Sequence, residues 1–214
     1  FAYRGIIIPL LCSYRGGSQG LSTTYEQAHV VLDLLTLASY KYSKNSQGDR
    51  MRKPELLIPA SSLEVLKTAV LFGADAVYIG GEAFGLRAKA RNFDKESMKE
   101  GIAFAHERGV RVHVTANILA HNRDLEGARE YFKELKKLKP DALIIADPGM
   151  FTLAREICPE IDMHVSTQAN NTNYMTYRFW YQQGAKRVVS ARELSLAEIK
   201  EIREHIPEDL EIES

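Results

Sequence analysis

The chain has 214 residues, 45% hydrophobic and 26% charged, with 28 basic and 28 acidic side chains and a formal net charge of zero. That composition supports one substantial globular core and gives no general electrostatic case for a nucleic-acid or membrane partner, a local basic patch aside. The two cysteines, Cys12 and Cys158, make neither a disulfide framework nor a metal-ligand spacing, so a reducing, cytoplasmic setting is expected.

Residues 1–50 read apart from the rest. They hold Gly16-Gly17-Ser18-Gln19-Gly20, a helix predicted from about Thr24 to Tyr42, and a polar stretch from Ser43 to Arg50. Thr23 and Glu26 have capping-box spacing, and Val30, Val31, Leu34, Leu35 and Ala38 offer an apolar face. The chain opens with Phe1, and the change of character falls at Met51. The preferred expectation is that Met51 is the natural start and residues 1–50 a dispensable extension. The alternative is an N-terminal segment docked on the main domain. No run of about 18 apolar residues is present, and the short apolar stretch Gly5–Cys12 lacks a signal-peptide plan.

From Arg52 onward strand and helix alternate. Strands are predicted over 55–59, 76–80, 110–117, 142–147, 162–170, 187–192 and 210–214, with helices between them. Ser61 with Glu64, and Ser195 with Glu198, have capping-box spacing, and Leu125–Leu138 reads as a charged surface helix. A junction recurs at Gly73-Ala74, Gly109-Val110, Pro140-Asp141 and Gly184-Ala185; in three of these a glycine stands where a helix ends in the left-handed conformation. This is the grammar of right-handed βαβ units. Seven strands fit a doubly wound sheet or an incomplete (β/α)8 TIM-type barrel over residues 51–214. The barrel is preferred, because the chain has no Gly-x-Gly-x-x-Gly fingerprint and two strands carry polar faces suited to a lumen.

Those two strands define the candidate site. On a strand, Asp162, His164, Ser166, Gln168 and Asn170 share one face, and Arg111, His113, Thr115 and Asn117 share another. A strand buried on both sides should be almost continuously hydrophobic, so these polar groups need partners, water or a ligand. His113, Asn117, His164, Ser166, Gln168 and Asn170 are expected to converge in one lumen. The histidines are candidates for acid and base work, with hydrogen-bonded core histidines as the blander reading. Asp147 is either a ligand-binding carboxylate or a helix cap before Pro148. Arg87 and Arg192 are candidate carboxylate or phosphate binders. Gly80 and Gly81 allow close approach of a ligand or simply a tight turn. Tyr174, Tyr177, Phe179, Trp180 and Tyr181 read as core packing, with base stacking by an exposed member as the alternative. No nucleophile elbow, Walker A sequence or metal motif is present.

Several segments are familiar in order: Lys53–Ala60, Gly73–Gly81, Phe84–Ala88, Ser166–Asn170 and Ala191–Ser195. Together they resemble the N-terminal half of the collagenase-like peptidase family, number thirty-two among peptidases of unknown type, over Lys53–Ser214. The resemblance implies a peptidase acting on peptide or protein. It also implies an alternative: full-length relatives that hydroxylate transfer or ribosomal RNA without oxygen, using an iron–sulfur cluster and prephenate. No cluster ligand transfers onto this sequence, so no cofactor is expected in this chain. Peptide and RNA therefore stand as competing partners, with prephenate as a small carboxylate. The chain by itself is expected to be catalytically silent.

Overall fold

The computed structural model describes residues 6–7, 54–85 and 92–214. Eight parallel strands lie side by side in chain order: β1 (Ile6–Ile7), β2 (Leu56–Ala60), β3 (Ala76–Gly80), β4 (Arg111–Thr115), β5 (Ala142–Ile145), β6 (Asp162–Val165), β7 (Arg187–Val189) and β8 (Glu211–Glu213). Seven of these match the strands read from the sequence. The eighth, β1, pairs with the start of β2 through Ile6 and Ile7. The Thr24–Tyr42 helix and its cap lie outside the described residues. Among the described residues β8 pairs with β7 alone, which makes this an incomplete TIM-type barrel.

Six α-helices follow strands β2 to β7: α1 (Leu63–Leu71), α2 (Lys95–His106), α3 (Leu125–Leu138), α4 (Pro148–Ile157), α5 (Tyr174–Gln182) and α6 (Leu196–His205). Local chemistry sets their ends. Ser195 and Glu198 form the expected reciprocal capping box on α6. At α1 the cap slides by one residue: Ser62, not Ser61, accepts the Val65 N–H, at 3.3 Å. Gly73, Gly109 and Gly184 have φ of +95°, +72° and +94°, the left-handed exits expected before β3, β4 and β7. Lys139 makes the same turn after α3 without a glycine, at φ +55°.

Strand alternation sorts the side chains. Ile58, Val77, Ile79, Val112, Val114, Leu143, Val165 and Val188 pack into one buried cluster with the helices. The residues between them face the barrel interior: Tyr78, His113 and Ala142 are laterally paired neighbours, as are Ile144, His164 and Arg187.

Five strands are shorter than the sequence suggests, 142–147 ending at Ile145 and 210–214 reduced to Glu211–Glu213 among them. The predicted strand 162–170 ends at Val165, and Thr167–Ala169 form a turn of 3-10 helix. The reason is local. The Ser166 hydroxyl accepts the Gln168 N–H, and Asn170 sits at φ +57°, so the backbone leaves the sheet. Strict alternation therefore holds for Asp162 and His164 but not for Ser166, Gln168 and Asn170. Strand 110–117 likewise ends at Thr115, and 187–192 ends at Val189.

Candidate functional site

The interior is built in two zones. Towards the N-terminal ends of β2, β4 and β7 lies a buried ionic floor, to which β8 contributes both its first residue, Glu211, and its last, Glu213. Arg187, fully buried at the start of β7, donates to Glu55 at 3.0 and 3.1 Å, to Glu211 at 2.9 and 2.5 Å, and to Glu213 at 3.2 Å. These five bonds use every guanidinium N–H. Arg111, at the start of β4, also pairs with Glu55. Two guanidiniums thus face three carboxylates. Burial holds the Glu213 carboxyl above its ordinary pKa, against the pull of Arg187.

His113 and His164 are also buried inside the barrel, with ring centroids 4.7 Å apart in an edge-to-face contact. Burial pushes the His113 pKa down to about 3, with Arg187 and Arg111 adding to the shift. Burial also depresses His164 well below the usual range, assisted by His113 and both arginines. Both rings are therefore neutral at physiological pH, and Nδ1 of each has no hydrogen-bond partner among the described residues. The expected convergence of the two histidines is present. Neutral imidazoles this hard to protonate do not work as a general acid near pH 7.

The second zone is the mouth at the C-terminal strand ends, where TIM-type barrels place their sites. The Asn117 side-chain amide donates to Ser166 Oγ at 3.4 Å, and Ser166 Oγ donates to Gln168 Oε1 at 3.3 Å. Thr115, the last residue of β4 and two positions before Asn117, donates to the Ile79 carbonyl at 3.3 Å. The mouth is thus lined by neutral amides and hydroxyls. Asn170 does not join it: it is exposed and serves as the left-handed exit of the turn.

Other candidates resolve differently. Asp147 takes the bland role, with its carboxylate accepting the Met150 N–H at 2.9 Å as the cap of α4. Arg192 is exposed in the loop after β7, because the chain turns at Val189 and the parity argument lapses. Arg87 lies outside the described residues. A Cβ on Gly81 would sit 2.5 Å from the Tyr131 hydroxyl, and one on Gly80 3.3 Å from Thr115 Oγ1 and Asn92 Oδ1. These glycines accommodate protein neighbours. Tyr177 and Trp180 are buried, and Trp180 packs 5.2 Å from Phe151, whereas Phe179 is exposed.

Single-sequence reasoning missed Glu55, Arg187, Glu211 and Glu213, whose partners are remote in the chain, and also Asn171. Asn171 is fully buried and donates through Nδ2 to the Ser166 carbonyl at 3.0 Å and the Val189 carbonyl at 3.1 Å. An asparagine directly after Gln168-Ala169-Asn170 was the available signal.

The described residues form an incomplete TIM-type α/β barrel with a charged floor and a neutral polar mouth. The model of peptidase family U32 matches residues 61–214, and the chain belongs to that family. It is 43% identical over 182 residues to tRNA hydroxylation protein P1 of Bacillus subtilis, covering 84% of this chain and 43% of that protein. It is 39% identical over 150 residues to the 23S rRNA 5-hydroxycytidine C2501 synthase of Escherichia coli, covering 70% of this chain and 22% of the synthase. The chain thus spans less than half the length of either relative. Among solved structures, a U32 peptidase superposes with a TM-score of 0.59 at 17% identity, covering 79% of this chain and 72% of that one. At that identity the match speaks to the fold alone. Among the described residues no helix is long and apolar enough to cross a membrane.

Proposed function

We propose that this chain is the barrel portion of an RNA-hydroxylating enzyme, and that its mouth binds the RNA substrate. This reverses the order of the two readings drawn from the sequence, where peptide hydrolysis came first. The observation that carries it is the bonding of Ser166. Its hydroxyl is held by the amides of Asn117 and Gln168, with no base among its hydrogen-bonding partners in the described residues. Serine hydrolases need a hydroxyl paired with a base that removes its proton. Cys158 is no better as a nucleophile. It is buried, its thiol is pushed up to about 11 by burial, and it donates to the Ala154 carbonyl at 3.1 Å. Amides and hydroxyls at a barrel mouth suit recognition of polar ligand edges, and relatives at 43% and 39% identity carry names for tRNA and rRNA hydroxylation.

The described residues do not fit an iron–sulfur cluster. Cys158 is the one cysteine among them, and no group of three His, Cys, Asp or Glu side chains is placed to hold a metal. Of the arginines, Arg192 is exposed in the loop after β7 and Arg187 is saturated by carboxylates.

The test is binding of unmodified tRNA to the purified chain, alongside cleavage of gelatin. Retarded migration of tRNA, weakened by Ser166→Ala, is expected, with gelatin intact. Gelatin cleavage that disappears in His164→Ala would overturn the proposal.

A further inference from the structure

We propose that Asn171 is a positioning residue that holds Ser166 in register with Asn117 across the mouth. The β6–β7 ladder consists of His164 opposite Arg187 and Val165 opposite Val188. Beyond it β6 breaks into the 3-10 turn. On the β5 side the Ser166 N–H still donates to the Ile145 carbonyl at 2.8 Å, but on the β7 side the main chain of Ser166 loses the lateral support that a continuing strand would supply.

Asn171 replaces that support from five residues downstream. Its Nδ2 bridges the carbonyls of Ser166 and Val189, one at the end of each strand. Its own carbonyl accepts the Ala191 N–H at 3.3 Å. The side chain is fully buried, and its Oδ1 has no partner among the described residues. An orphaned buried acceptor is costly, so the amide is retained for what its nitrogen does. The Ser166 carbonyl also accepts the Ala169 N–H at 3.0 Å within the turn; the bridge ties it to β7 as well, and the Ser166 hydroxyl is the acceptor for Asn117. Displacing the first moves the second. A second clamp nearby, Thr167 Oγ1 to the Ser190 carbonyl at 3.1 Å, ties the segments after the same two strands without bonding to the Ser166 carbonyl or hydroxyl. It provides the control.

The experiment compares Asn171→Ser with Thr167→Val in the whole chain, reading the Asn117 side-chain amide signal by NMR and the melting temperature. Both variants are expected to melt lower. The Asn117 signal should move in Asn171→Ser and stay near its original position in Thr167→Val. Equal movement in the two variants, or none in Asn171→Ser, overturns the proposal. Should Asn171→Ser fail to fold, Asn171→Thr with the same readout decides the matter.

A second arm rests on the RNA-binding reading. Asn171→Ser should weaken tRNA binding roughly three- to tenfold, the scale of one hydrogen bond. The loss should vanish in a Ser166→Ala background, because both residues act through one contact. Fully additive losses would count against the positioning role. Absence of tRNA binding by the unaltered chain would sink the functional reading, while the NMR arm would still decide the role of Asn171.

Discussion

The floor and the mouth of this barrel solve the problem of buried polarity in opposite ways. The floor buries full charges and neutralises them against one another, with Arg187 bonded to Glu55, Glu211 and Glu213. The mouth uses neutral amides and hydroxyls whose bonds are longer and fewer. A buried ion network is unforgiving: removing one partner leaves the others uncompensated. A neutral polar set can exchange partners with a ligand at modest cost, as a binding site requires. The two histidines mark the difference electrically, since the arginines help to keep them neutral.

The largest effect should come from breaking the floor. Arg187→Met strands three carboxylates around an apolar side chain and should cost about 3–5 kcal/mol, read by urea denaturation. A loss below about 1 kcal/mol would mean that the carboxylates protonate or rearrange at little cost.

Acid should be the next most damaging perturbation. The folded pKa of His113 is lowered from 6.5 to about 3, so between these values the unfolded chain binds more protons and stability rises with pH. The contribution is fully present above the unfolded value and is lost as pH falls toward the folded one. His164 acts in the same direction. Glu213, whose folded pKa is raised, opposes them by favouring the folded state at the acid end. Melting temperature should therefore climb from acid toward pH 7, and His113→Gln should flatten the climb. An unchanged slope in that variant would assign the acid sensitivity to other groups.

At the mouth the effects should be smaller. Gly81→Ala places a methyl 2.5 Å from the Tyr131 hydroxyl and should cost about 1–3 kcal/mol as an overpacked contact. Adding Tyr131→Phe should recover part of that loss in thermal melts, and no recovery would locate the strain in the backbone instead. Smallest should be Asp147→Ala, which removes the cap of α4 at about 1 kcal/mol. It should leave tRNA binding unchanged. Weakened binding at equal stability would restore Asp147 to the site.

Much of the scaffold was legible from periodicity and punctuation. Leu125–Leu138 matches α3 residue for residue, and the capping box at Ser195 and the left-handed exits at Gly73, Gly109 and Gly184 stand where the pattern puts them. The pairing of His113 with His164 followed from alternation within two strands, because both lie before any turn. Alternation failed once the strand ended. Arg192 and Asn170 then went to solvent, while Gln168 reached Ser166 through a turn and not along a strand.

What sequence alone determined was the order of elements, several of the helix ends and the first part of the two polar strand faces, since each depends on neighbours a few positions away. What only the tertiary structure decided was which charges meet. Glu55 and Arg187 are 132 residues apart, and neither position carries a local sign of the other. The curved sheet brings them together across the barrel interior, and the dry interior turns that proximity into a floor of fixed charge and two histidines that stay neutral. Local chemistry writes the strands and helices; the curvature of the sheet chooses the partners inside it.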